Sequence, residues 1–399
     1  MSEHEPADEL SPDAPAHGHG GPHADWNPRG PRVRRDPVAA YDALRAQCPV
    51  ARGPDGAWTV FSHADVMRVA LDHETFSNAV SRHLQVPNGL DGPEHTAFRA
   101  LVERFFTPER IAELAPAVTR VADELAATLV VPGTVDAVAL GARFAVRAQS
   151  VWLGWPASLE EELLDWVAAN RDATRSRDQV RTRDVALRFD AIIRALTDAR
   201  RATPRADVTT ELLRTRVGGR TLTDDEVVSV LRNWTGGDLG SIALCTGVVL
   251  AHLADDPRLQ DRVRDGVSDR ELDAIVDETL RLDDPFVSNR RVATRPVELG
   301  GRRIAAGDRV VMSWTAANRD ERVFGPPERF DPVGHAPYNL VYGIGKHVCP
   351  GRPLATLELR VLVRALLRVT TAIRSAPDAA RTRELPPAGG YQHVPLALT

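Results

Sequence analysis

Three cysteines occur in 399 residues, Cys48, Cys245 and Cys349, far apart and without a C-x-x-C pair. That spacing argues against a disulfide framework and against a cysteine-rich zinc site, so a chemically active cysteine would act alone. Cys349 has the best setting. It lies in "LVYGIGKHVCPGRPLATLELR", a glycine-rich loop running straight into a helix. Glycines let a backbone turn tightly and approach a ligand. A helix N-terminus just beyond the sulfur favours thiolate over thiol. A lone thiolate in a tight turn suits a soft axial ligand to a haem iron. The only lysine among 50 basic residues, Lys346, stands three residues before it.

A second stretch is "TGGDLGS", residues 235–241, inside a long apolar helical pattern. Each interior glycine costs roughly 1 kcal/mol against alanine, so close approach of another group must offset the loss. Asp238 is the lone acid there. Two further pairs share helix faces: Glu278 with Arg281 at i,i+3, and His95 with Arg99 at i,i+4.

The elements that must position these residues are mostly helical. "DPVAAYDALRAQ", "HADVMRVALDH" with Ser62 as cap, and "GPEHTAFRALVERFF" read as helices. Helical periodicity dominates from about 109 to 283, and "LATLELRVLVRALLRVTTAI" closes the chain. "AWTVFS", "RVAT", "VELGG" and "RVVMSW" read as short strands. Residues 1–25, rich in Pro, Gly, Ala, His and acids, read as a disordered tail, and 26–399 as one catalytic domain. His17, His19 and His23 could bind a metal, but a solvated tail is the simpler reading. Net charge is −5, which disfavours a wholesale nucleic-acid or anionic-membrane binder. No apolar run reaches the roughly 18 residues of a membrane span, and no signal peptide is visible. A cytoplasmic protein is expected.

Tyr342-Gly343-x-Gly345-x-His347-x-Cys349-x-Gly351 resembles the haem-binding loop of the cytochrome P450 family, with Tyr342 where phenylalanine is usual. Glu278-x-x-Arg281 resembles the family's buried E-x-x-R pair, and Arg329 of "PPERF" is the candidate third member. Gly334 stands where many bacterial members carry arginine. "DGPEHTAFR" resembles the family's D-P-P-E-H helix start, with Gly92 replacing a proline. The resemblance covers about residues 27–399. It implies a mainly α fold with small β-sheets (α+β), a triangular helical prism enclosing haem b. His95, Arg99, Arg291 and His347 are then the propionate partners. Arg290 competes with Arg291, and strand register with "VELGG" favours Arg291.

In this family the central helix crosses the haem on the oxygen side with a pattern near [AG]-G-x-[DE]-T-T. On that pattern Gly236, Gly237 and Asp238 fit, while Leu239 takes the usual threonine position. A substrate hydroxyl or an ordered water is the favoured replacement for the missing alcohol; if a protein hydroxyl substitutes, geometry favours Thr235, one turn back on the same face, with a bond to its own helix as an equal alternative. Ser241, two residues on, should point elsewhere. By family position Trp234, Phe286, Val287, Ser288 and Tyr391 line the substrate pocket, with Gln392 beside Tyr391. Residues 81–90 and 172–181 form the entrance. The resemblance implies a monooxygenase acting on a small-to-medium, largely apolar molecule. A peroxide-driven peroxygenase, a non-inserting coupling or rearrangement enzyme, and a haem sensor remain alternatives. A ferredoxin with its reductase is the expected donor, docking on Lys346, Arg352, Arg104 and Arg110 of a monomer, with no nucleic-acid or membrane partner.

Overall fold

The computed structural model describes residues 25–399 apart from residue 82. The expected tail, His17, His19 and His23 included, lies outside the described residues. Asp25 is ordered: its N–H donates to the Arg52 carbonyl and its carboxylate accepts from the Arg52 N–H, both at 2.8 Å.

The start signals act locally. Ser62 accepts from the Asp65 N–H at 3.1 Å. Thr223 and Glu226 form a reciprocal capping box at the head of the central helix, Asp224–Asp255. This helix runs 32 residues without a break through all three glycines, about 48 Å at 1.5 Å per residue. It is long and apolar enough to cross a membrane, contrary to the expectation from run length. Its apolar residues surround the axis because 72% of the most apolar window is buried inside the protein.

Around it pack the helices Ala137–Leu153, Glu160–Ser176, Gln179–Ala202, Pro257–Gly266, Asp269–Leu282 and Arg352–Val369, with Pro108–Ala127 in an outer layer against Arg352–Val369 and Ala137–Leu153. A five-stranded sheet lies to one side, in the order Val50–Arg52, Trp58–Val60, Arg309–Ser313, Ser288–Ala293, Phe76–Ser77. Only the Trp58–Val60 and Arg309–Ser313 pair is parallel. The strands expected at "AWTVFS", "RVAT", "VELGG" and "RVVMSW" all form. The final helix ends at Val369, and Ile373–Ser375 is instead a strand paired with Pro395–Leu398.

Two glycines set the helix crossing that fixes the central helix. A Cβ on Gly141 would stand 2.6 Å from Thr246 Cβ and 3.0 Å from Ala243 Cα. A Cβ on Gly247 would stand 2.7 Å from a Val138 methyl. Each glycine thus makes room for a side chain of the other helix, Gly141 for Thr246 and Gly247 for Val138, and the two helices cross closely. Overpacking costs about 1–3 kcal/mol, more than the helix-propensity gain of Gly→Ala of up to about 1 kcal/mol. Gly141→Ala should therefore lower unfolding free energy by about 2 kcal/mol in urea titration, and an unchanged midpoint would refute the close crossing.

Candidate active site

The cysteine loop is built by two left-handed glycines. Gly343 and Gly345 both have φ near 72°, which side-chain-bearing residues rarely adopt. The Cys349 N–H donates to Tyr342 O at 2.8 Å and the Val348 N–H to Gly345 O at 3.1 Å. Arg99 ties the loop from behind, donating to the Val348 carbonyl at 2.5 Å. Arg352 lies over the Tyr342 ring at 5.0 Å. A Cβ on Gly351 would sit 3.8 Å from Cys349 Sγ and 3.7 Å from Phe106, in ordinary contact with both. Cys349 has accessible surface, yet deep in the protein, because it faces an internal cavity of about 1110 Å³. Burial pushes its thiol above the ordinary value, while the N–H groups of Gly351 and Arg352 and the charge of Arg99 pull it down. The helix start alone does not make a thiolate here.

Beside the loop, donors converge around a single acid, Asp91, which is already bonded by Ser77 and Asn78. His347 Nε2 is 2.7 Å from Asn78 Nδ2, and its ring centroid is 4.1 Å from that of His95. Burial, then His95 and Arg291, push His347 down to about 3. Burial pushes His95 down as well, and neither of its ring nitrogens has a partner. Arg291 is buried and Arg290 exposed, as strand alternation requires, opposite Val310 and Val311 respectively. Burial lowers Arg291 to about 10, opposed by Asp91. Among the described residues its guanidinium makes one hydrogen bond, to the Arg290 carbonyl. Arg291, His347 and Asn78 line the cavity, and His95 and Arg99 stand behind His347 and Val348.

Beneath the loop lies a buried ion network. Glu278 accepts from Arg281 Nε at 2.8 Å and Nη2 at 2.9 Å, and Arg281 continues to the carbonyls of Asn318 and Arg329. The third side chain is not Arg329, whose guanidinium turns outward to Asp331. It is His335, with Nδ1 2.7 Å from Glu278 Oε1. An arginine there would have to bury a second full charge, whereas the imidazole fits between Glu278 and the Phe324 carbonyl, 3.1 Å from Nε2.

The central helix presents Asn233, Trp234, Gly237, Asp238, Gly240, Ser241, Leu244 and Cys245 to the cavity, which corrects the helix phase expected from the sequence. Leu239 is fully buried in the core away from the cavity. Thr235 is fully buried too, its hydroxyl donating to the Leu231 carbonyl at 2.7 Å. Gly236 faces the Trp166–Phe189 stack, 3.5 Å from Trp166 to a Cβ placed on it, and not the cysteine. The hydroxyl on the cavity side is Ser241, which donates to the Gly237 carbonyl one turn earlier. A Cβ on Gly237 or Gly240 would meet nothing within 4 Å, because both open onto the cavity.

Whole-length comparison bears on this geometry. The chain is 32% identical to cyclomarin C epoxidase of Salinispora arenicola, over 77% of this chain and 82% of that protein. It is 30% identical to the erythromycin C-12 hydroxylase of Saccharopolyspora erythraea, over 88% and 92%. The Cytochrome P450 profile matches residues 177–369.

The chain belongs to the cytochrome P450 family.

Its fold is that of the open cytochrome P450 EryK from S. erythraea, with TM-score 0.82 and 29% identity over 90% of this chain and 95% of that one. This P450 is thus a haem-thiolate monooxygenase. The residues present fit the haem: a lone sulfur facing a cavity, glycines that clear its rim, and unpaired cationic and imidazole groups for two propionates. Cys349 would hold the iron, and Arg291, His347 and His95 the propionate edge.

Among the expected pocket residues, Trp234, Phe286, Val287 and Ser288 line the cavity. Trp234 closes one wall with Phe105, Phe106 and Trp152, at ring distances of 5.0 to 5.6 Å. Tyr391 does not line it. That ring packs under Arg383, 4.3 Å away, on the Tyr391–His393 strand.

His335 and a buried polar cluster at Asp238 carry no signal in the sequence, and Ser241, expected to point elsewhere, faces the cavity. Glu358 of the last helix and Gln149 of Ala137–Leu153 approach Asp238, yet Asp238 Oδ2, both Glu358 oxygens and both Gln149 amide atoms lack an aligned partner. Desolvation raises Asp238 to about 7 and Glu358 well above the carboxylate range. Two adjacent buried carboxyls cannot both ionise, so the pair holds a proton at neutral pH.

Two predictions follow from these groups. Removing one partner of a buried ion pair costs about 3–5 kcal/mol. His335→Ala and Glu278→Ala should therefore destabilise the fold and lower haem content, read as the Soret-to-protein absorbance ratio. An acid whose pKa rises on folding destabilises the native state increasingly as pH rises from the unfolded value, about 3.9, to the folded one. The stability advantage of Asp238→Asn over wild type should therefore be small at pH 4, grow to about pH 7 and then level off. A pH-independent difference in urea titrations would exclude the shared proton.

Proposed function

We propose that this P450 activates dioxygen with Ser241 as its cavity-side proton donor and the Asp238–Glu358 pair as a nearby proton store. The observation carrying the reading is the phase of the central helix: Ser241 is the hydroxyl facing the cavity, and Leu239 is core. Haem, when bound, supplies the oxidising chemistry. The chain's part is to place protons and exclude water. Ser241 spans from the Gly237 carbonyl to open cavity and can pass its proton inward. The groove left by Gly237 and Gly240 admits a water to return one. No acid stands directly before Ser241, because residue 240 is glycine. Asp238, two residues earlier on the cavity-facing side, is the nearest carboxyl on the helix.

The substrate we infer is a medium-sized, mostly apolar organic molecule, in line with relatives named for cyclomarin C, erythromycin and steroid oxidation. The electron donor we infer is an acidic ferredoxin with its reductase. The docking face is narrower than the sequence implied, since Arg110 is bound by Glu211 and Arg352 by Asp277. Lys346 and the exposed Arg104 remain for it.

A spectral screen for displacement of haem-bound water identifies a substrate, and turnover is then compared with ferredoxin plus NADPH against hydrogen peroxide. Product should form with the redox chain, and Ser241→Ala should cut product per NADPH by about 10²-fold, the low end for a positioned proton donor. Leu239→Thr should leave that ratio intact and lower stability by about 1–3 kcal/mol, the cost of an unpaired buried hydroxyl. Turnover with peroxide alone, or unchanged coupling in Ser241→Ala, would overturn the reading.

A further inference from the structure

We infer that the substrate carries a carboxylate and that Arg171 binds it. This rests on the monooxygenase reading and adds a charge to an otherwise apolar pocket.

The helix Glu160–Ser176 roofs the cavity with Asn170, Arg171, Thr174 and Arg175. Arg171 is partly buried, and its guanidinium makes no hydrogen bond among the described residues. Nε and Nη2 are sealed from water with no partner. A guanidinium offers five N–H donors, and leaving a buried charged donor unmet is costly. Burial lowers the Arg171 pKa, with Glu384 the main opposing charge.

Glu384 is already committed. Its two oxygens accept from Arg175 Nε at 2.8 Å and Nη2 at 2.7 Å, and Oε1 also accepts from the Leu385 N–H. Arg175 is equally occupied, its Nη1 going to Asp172 at 2.9 Å. Arg29 donates to the carbonyls of Arg175 and Pro386. Arg177 completes the group on the cavity wall. Four guanidiniums thus meet two carboxylates; Arg171 and Arg177 have neither a carboxylate nor a carbonyl among the described residues, and of these two Arg177 is exposed to solvent whereas Arg171 has buried N–H groups. Nη1 is the nitrogen left unsealed at the cavity edge, and a turn of the side chain that frees Nε or Nη2 lets the planar fork take a carboxylate in bidentate geometry. An apolar body would lie along Trp234, Trp152 and Leu244, with the acid at the roof and the far end toward Cys349.

The test uses haem-loaded protein whose reduced carbon-monoxide spectrum shows the thiolate signature; without that signature the family-level reading fails, not this one. Isothermal titration calorimetry then compares decanoate with decanamide, equal in length and different in charge. Wild type should bind decanoate at least tenfold tighter. Arg171→Gln should weaken decanoate at least tenfold and leave decanamide within twofold, and Arg171→Lys should fall between. Equal binding of acid and amide, no measurable binding of the acid, or an Arg171→Gln protein that keeps the preference would each overturn the assignment.

Discussion

The fold depends on a constraint that its own atoms do not meet: an internal cavity of about 1110 Å³ edged by polar groups without partners. Protein interiors pack like organic crystals, and buried polar groups are nearly always bonded. A chain that keeps a sulfur, two imidazoles and an arginine at the rim of such a space is shaped for something it does not encode. A bound haem would resolve this contradiction: Cys349 would hold its iron, and Arg291 with the His347–His95 pair would hold its propionates. The buried Glu278–Arg281–His335 set beneath the loop is the counterpart that the chain supplies itself, holding the cysteine in place before any cofactor arrives.

The central helix shows why motifs and helix phase differ in legibility. The cysteine loop was readable because glycine, histidine and cysteine stand at fixed spacing around a backbone shape that few other residues permit. The E-x-x-R pair was readable for the same reason. The oxygen-side stretch was not. Glycine carries no side chain to mark an inward or outward face, so three in the five residues 236–240 leave a helix pattern free to slide by two positions. "T-G-G-D-L" and "G-D-L-G-S" then fit one motif almost equally. Burial decides between them: Leu239 is wholly enclosed, whereas Ser241 opens onto the cavity. His335 was missed because a lone histidine in an irregular stretch carries no spacing signal. The Asp238, Glu358 and Gln149 meeting draws on three helices far apart in sequence.

That phase also changes what the glycines are for. Gly141 and Gly247 let two helices cross closely. Gly237 and Gly240 leave the cavity wall bare. Gly236 merely spares space against Trp166 and Phe189. One residue type therefore does packing in one turn and clearance in the next, and their summed cost in helix propensity is offset by the tertiary core on the other faces.

The buried carboxyls follow from the same economy of position. With glycine at 240, the turn that carries Ser241 has no charge of its own and can lie against a low-polarity surface. The acid is displaced two residues, to where Glu358 and Gln149 stand. There desolvation outweighs every hydrogen bond available to Asp238 and lifts it to about 7. A carboxyl in that state is a poor anion and a good proton carrier near neutrality. An acid adjacent to the hydroxyl, exposed and ionised, would have to collect each proton from solvent. A pair that already shares one needs only a water in the bare groove to deliver it.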